Sequence, residues 1–130
     1  MTQDKAILKW KESATDDLDT AQILFVSKKY VYCLFFCHLA LEKMLKSLCI
    51  LQMNDAPPIT HDLLKLALTA KLTLTSIQEN NLREITTFNI EARYDIYKQR
   101  LYKKATEEFT SSYLALTREL FLWIEQHLKH

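Results

Sequence analysis

Apolar side chains recur along this chain at spacings of three and four, the period of an α-helix with one buried face. From about Asp4 to Val26 the apolar positions are Ile7, Trp10, Ala14, Leu18, Ala21 and Leu24/Phe25, with Asp16, Asp17 and Asp19 on the opposite, solvated side. Lys28-Lys29 marks a turn, and a second helix is predicted from about Tyr30 to Gln52. That segment is apolar almost all round (Val31, Leu34, Phe35, Phe36, Leu39, Leu41, Met44, Leu45, Leu48, Leu51). Such a helix is either wrapped by neighbours or shares a face with another subunit.

Asn54-Asp-Ala-Pro-Pro-Ile-Thr60 is the clear break, because proline cannot continue a helix. Thr60 is placed to cap a short helix over His61–Leu68, with Asp62 in its first turn favouring the helix dipole. A fourth helix opens at Thr75 or Ser76 and runs to about Glu91, with Ile77, Leu82, Ile85 and Phe88 or Asn89 inward. Ser76 and Glu79 have capping-box spacing. The last helix, about Thr106 to Leu128, sets Phe109, Tyr113, Leu116, Leu120 and Trp123 in a 4-3-4-3 rhythm. Arg93–Lys104 is left unassigned between them. The expectation is an all-α, up-and-down bundle of four long helices plus a short one, a single domain over residues 1–130.

Composition sharpens this reading. The 130 residues contain no glycine, where average usage of about 7% predicts roughly nine. Without the one residue that reaches positive φ freely and approaches phosphate closely, a P-loop, a G-x-G-x-x-G fingerprint and a nucleophile elbow are excluded. Twenty-two leucines against two valines argue against sheet. The net charge of +1 provides no global field for nucleic acid or anionic lipid. The opening Met1-Thr-Gln-Asp-Lys lacks the layout of a signal peptide. The longest uncharged stretch, Tyr30–Leu41, is far below the ~20 residues that span a bilayer. Three cysteines on one helical stretch, Cys33, Cys37 and Cys49, fit a reducing cytoplasm better than a disulfide framework.

Few polar residues carry candidate chemistry. His38, Glu42 and Lys46, spaced i, i+4, i+8, form one polar stripe on the apolar second helix. A carboxylate buried there needs a partner. Lys46, one turn on, is the simple candidate, and Arg93 from the end of the fourth helix is the sharper one. Cys33, Cys37 and His38 do not share a face, and no C-x-x-C or H-x-x-x-H accompanies them, so no metal is expected. No cofactor is indicated either. No cysteine has an evident base, and a buried thiol is inert. From Arg93 to Lys104, Arg93, Lys98, Arg100, Lys103 and Lys104 face a single acid, Asp95, and interleave with Tyr94, Tyr97 and Tyr102. This stretch either grips phosphates while a ring stacks on a base, or is a solvated surface whose tyrosines pack on the bundle. His61 reads as a polar turn residue; His127 and His130, near the end, carry little information.

Taken in order, Leu41-Glu-Lys-Met-Leu-Lys46, Pro57-Pro-Ile-Thr-His-Asp-Leu63, Asn89-Ile-Glu-Ala-Arg-Tyr94, Tyr97-Lys98 and Tyr102-Lys-Lys-Ala-Thr-Glu-Glu-Phe109 resemble the HEPN family (higher eukaryotes and prokaryotes nucleotide-binding) over about Trp10 to Trp123. The resemblance implies a helical bundle that dimerises through its long helices. It also implies a protein encoded beside a minimal nucleotidyltransferase and acting as its partner in a toxin–antitoxin-like pair. Ribonuclease branches of the family use an arginine, a short spacer and a histidine. Neither Arg93 nor Arg100 has a histidine at that distance, and Arg118 reaches His127 only across eight residues. The Ala-Arg-Tyr-Pro branch is the nearest, with Asp95 here in place of proline. The expectation is a non-catalytic homodimeric partner whose nucleotide-facing or RNA-facing cleft is formed by Glu42, Arg93, Tyr94, His38 and Lys46. The alternative is a ribonuclease toxin in which His61 or His38 replaces the missing histidine.

Overall fold

The computed structural model describes residues 2–129, in which six helices follow one another with no strand: α1 (Gln3–Val26), α2 (Tyr30–Met53), α3 (Leu63–Thr69), α4 (Ser76–Arg93), α5 (Asp95–Lys104) and α6 (Glu107–Gln126). The all-α bundle is as expected. The segment left unassigned, Arg93–Lys104, is itself a helix: Tyr94 takes an extended conformation at φ −109°, ψ 123°, which breaks the chain into α4 and α5 at one residue. Leu101, fully buried, anchors α5 to the bundle.

α2 is the spine, and every other helix packs against it. Leu34, Leu41, Met44, Leu45 and Leu48 are all fully buried. Much of its apolar circumference is covered within this chain, while Phe35, Phe36, Leu39 and Leu51 are only half-buried. Ala14 and Ala21 are buried in the interface with α1, where small side chains let two backbones approach. Phe88 of α4 sits edge-on to Phe109 and Tyr113 of α6, with centroids 6.0 and 5.2 Å apart, and closes the far side of the core.

Three local expectations are corrected. Asp17 is not solvated: it lies on the Ala14–Ala21 stripe, where Lys43 of α2 meets its carboxylate at 2.8 Å while donating to Ser13 Oγ at 2.7 Å. Ile77 points out, 72% exposed, because the first turn of α4 extends past the covered part of the bundle. The cap of α4 is Thr75 with Gln78, not Ser76 with Glu79: Gln78 N donates to Thr75 Oγ1 at 3.1 Å and Thr75 N donates back to Gln78 Oε1 at 3.0 Å.

Two helix ends show how a chain without glycine turns. After α1, Lys29 N bonds Leu24 O, and after α3, Leu72 N bonds Ala67 O. Both are Schellman-type ends that put the intervening residue in the left-handed region, and here these residues are Lys28 (φ 63°) and Lys71 (φ 62°). Asn54 (φ 54°), a residue better suited to that region, terminates α2.

Candidate functional site

The polar stripe of α2 is buried as a unit. His38, Glu42 and Lys46 have relative exposures of 0%, 5% and 8%. Such groups are tolerated in a leucine core only if each is answered. Lys46 Nζ donates to Glu42 Oε2 at 3.1 Å and lies 5.4 Å from the centre of the Trp10 ring, so the local partner expected from spacing is present. Glu42 Oε1 accepts from His61 Nδ1 at 2.7 Å. That partner comes from the α2–α3 linker, where Pro57 and Pro58 prevent helix and α3 begins only at Leu63. Asp62, not Thr60, caps α3, accepting from Lys65 N at 3.2 Å. His61 therefore lies outside the helix in which the periodicity had placed it, free to turn back onto α2.

The remaining bonds fix the tautomers. Asn89 Nδ2 of α4 donates to His38 Nδ1 at 3.3 Å, so the ring proton is on Nε2, which donates to the His61 carbonyl oxygen at 2.8 Å. Burial pushes the His38 imidazole below its usual range, outweighing the His61 carbonyl and the Glu42 carboxylate, which favour the charged form. His38 is thus neutral, and its 3.8 Å approach to Glu42 Oε1 is a proximity rather than an ion pair. A carboxylate only accepts, so His61 Nδ1 carries a proton, while Nε2 has no hydrogen-bond partner among the described residues and the side chain is 56% exposed. A carboxylate-held imidazole with one free nitrogen has the form of a general base.

Arg93 and Tyr94 stand elsewhere. α4 runs antiparallel to α2: Thr86 Oγ1 receives Leu63 N at 3.1 Å, Asn89 meets His38, and beyond them Lys98 of α5 reaches Tyr32 near the start of α2. Arg93, one turn past Asn89, therefore lies toward the N-terminal end of α2, while Glu42 lies one turn from His38 toward the other end. The expected Glu42–Arg93 pair is not formed. Arg93 is exposed and has no carboxylate within 4 Å among the described residues. Asp95, the residue after Tyr94, turns to Lys98 at 3.9 Å. Of the five residues assigned to one cleft, the fold brings together His38, Glu42 and Lys46, adds His61 and Asn89, and leaves Arg93 and Tyr94 at the α4–α5 corner.

The thiols are buried and free. Burial raises the Cys49 pKa to about 11, and Cys33 is pushed up by its hydrogen bond with Cys37 and by burial, which suits inert packing groups. Among the described residues no group of three His, Cys, Asp or Glu side chains is arranged to hold a metal ion. In the polar stripe the ring nitrogens of His38 are both engaged. Among the described residues no helix is long and apolar enough to cross a membrane. His130 lies outside the described residues, and His127 Nδ1 bonds the Trp123 carbonyl oxygen at 2.9 Å.

The fold has a solved counterpart. The crystal structure of TT1696 from Thermus thermophilus is similar at a TM-score of 0.77 and 19% identity, over 93% of this chain and 97% of that one. At this identity the likeness concerns the fold. No curated protein matches the chain. The sequence profile of the HEPN domain matches residues 7–127, nearly the whole length. The chain belongs to the HEPN domain family.

Proposed function

We propose that this HEPN protein is a single-domain, non-catalytic module of the cytoplasm that binds nucleotide phosphate and docks, as a homodimer, onto a minimal nucleotidyltransferase in a toxin–antitoxin-like pair. The observation that carries the reading is the α4–α5 corner. Arg93 is exposed there without a carboxylate partner among the described residues, next to Tyr94, which is 53% exposed. An unpaired guanidinium beside an open aromatic ring suits a phosphate and a base together. The order of motifs shared with the family supports the partner. The polar stripe, by contrast, serves to pin the linker, since His38, Glu42, Lys46 and Asn89 each spend their hydrogen bonds within it.

Co-expression with a minimal nucleotidyltransferase, followed by light scattering of the purified complex, tests the docking. A stable complex containing two copies of this chain is expected. A monomer that ignores the nucleotidyltransferase overturns the docking. Nucleotide binding is tested by melting with ATP: a ligand for the folded state well above its dissociation constant raises Tm, and Arg93→Ala abolishes the rise.

A second reading, a ribonuclease toxin with a non-standard site, is favoured by the free Nε2 of His61 held by Glu42. Incubation with RNA decides it. Cleavage lost in both His61→Ala and Arg93→Ala supports it, and intact RNA at high protein concentration disposes of it.

A further inference from the structure

His61 is the one member of the polar stripe and its linker bonds whose ring reaches solvent, and its neighbours leave it uncovered. Thr60 Oγ1 accepts from Asp62 N at 3.2 Å and the Asp62 carboxylate accepts from Lys65 N at 3.2 Å, so both flanking side chains are turned to the backbone. Nε2 of His61 has no hydrogen-bond partner among the described residues. From the inner side the residue is held twice: its carbonyl oxygen accepts from His38 Nε2 at 2.8 Å, and its Nδ1 donates to Glu42 Oε1 at 2.7 Å. The first bond suffices to pin the linker. The second sets a carboxylate that is 5% exposed, and bonded on its other oxygen to Lys46 at 3.1 Å, against the ring itself. A buried charge is costly, and what this one changes is the imidazole: it fixes the tautomer and raises the basicity of the outward nitrogen.

We propose that His61 Nε2 is a nucleophile that accepts a phosphoryl group from an N–P donor, the class to which phosphoramidate and phosphohistidine belong. The proposal goes beyond docking and nucleotide binding, and it differs from the ribonuclease reading, in which the same nitrogen takes up a proton. The Nε2 lone pair forms the new N–P bond while the electron pair of the donor's N–P bond leaves with the donor nitrogen, as ammonia from zwitterionic phosphoramidate. The Nδ1 proton stays on the ring. The positive charge that the imidazole gains is stabilised as it develops, because Nδ1 lies 2.7 Å from a carboxylate oxygen. The chain has no glycine and so no glycine-rich phosphate cradle, which favours a donor with its own activated leaving group over a nucleoside triphosphate. A single imidazole is too few ligands for a metal site, and among the described residues no group of three His, Cys, Asp or Glu side chains could complete one.

His127 provides a comparison within the same molecule. It too is exposed, but its Nδ1 is bonded to a neutral acceptor, the Trp123 carbonyl oxygen, at 2.9 Å. Incubation of the full chain with potassium phosphoramidate, followed by phosphorus NMR and mass mapping of the adducts, tests the proposal. His61 is expected to be phosphorylated at least about tenfold faster than His127, and at Nε2 alone. Glu42→Gln keeps an acceptor on Nδ1 but removes the charge, so the rate at His61 falls to that at His127. His61→Gln abolishes the fast adduct. The two histidines compete within the natural chain, so the main result requires no variant to fold. Equal rates at His61 and His127, an adduct on Nδ1, or no adduct at His61 overturns the proposal. An undiminished rate in folded Glu42→Gln also overturns it, since the carboxylate would then only hold the linker. None of these outcomes bears on docking or nucleotide binding, which are measured separately.

Discussion

Glu42 Oε1 and His61 Nδ1 meet at 2.7 Å across nineteen residues of sequence, and this bond ties the proline-bearing linker back onto the spine of the bundle. It is the point where a buried carboxylate is answered from outside its own helix. Lys46 alone engages one oxygen of Glu42; His61 completes the set.

Removing that charge strands its partner. Glu42→Gln leaves Lys46 buried without an anion, and breaking a buried pair from one side costs about 3 kcal/mol. The expected fall in Tm is about 10 °C for a chain of this size. Thermal melts followed by circular dichroism measure it. A change within about 1 °C would show that water already screens the pair.

The buried neutral imidazole makes stability depend on pH. His38 binds its proton less tightly folded than unfolded, so between its folded pKa and the ordinary value of 6.5 the unfolded state holds more protons. Its contribution is therefore complete above 6.5 and is lost as pH falls toward the folded value. Urea midpoints at about pH 7.5 and about pH 5.5 should fall with pH for the natural chain and fall less for His38→Gln. Equal slopes in the two proteins would assign the dependence to other groups.

Lys28 and Lys71 occupy helix ends where glycine is the usual residue. Left-handed backbone costs a side-chain-bearing residue about 1–2 kcal/mol, against about 0.5–1 kcal/mol of added chain entropy lost by glycine on folding. Lys28→Gly and Lys71→Gly should each raise stability by about 0.5 kcal/mol. Denaturant titration at constant m resolves the sign, and destabilisation by both would contradict the strain.

Leu101 is the anchor of α5. Leu101→Ala removes a fully buried side chain and should cost about 2–5 kcal/mol. Amide exchange in residues 95–104 is expected to rise more than in α2, because α5 has the smaller share of the core. Uniform acceleration across the chain would mean that α5 opens only with global unfolding.

The local sequence carried the helical class, the position of the spine and the simple partner of Glu42, since each follows from spacing along one helix. Leu41, Met44, Leu45 and Leu48 announce a wrapped rod, and i, i+4 geometry alone sets Lys46 beside Glu42. α5 was hidden because its outward residues are mostly charged and aromatic and Leu101 gives it a single fully buried anchor, too little for a period to emerge. His61 was misplaced because His61-Asp-Leu reads as the start of a helix. The signal that could have found it was the run of two prolines immediately upstream, which frees a following polar residue to turn back on the chain.

By itself, then, the sequence determined that the chain is all-helical, where five of its helices run and which of them is central, because helical periodicity and the lack of glycine act over a few residues at a time. Only the tertiary structure decided who answers the buried charge and which surface is left open. Whether His61 or Arg93 reaches Glu42 depends on the direction of α4 across α2 and on where the linker closes. Those are set by packing between elements far apart in the chain, and no local pattern encodes them.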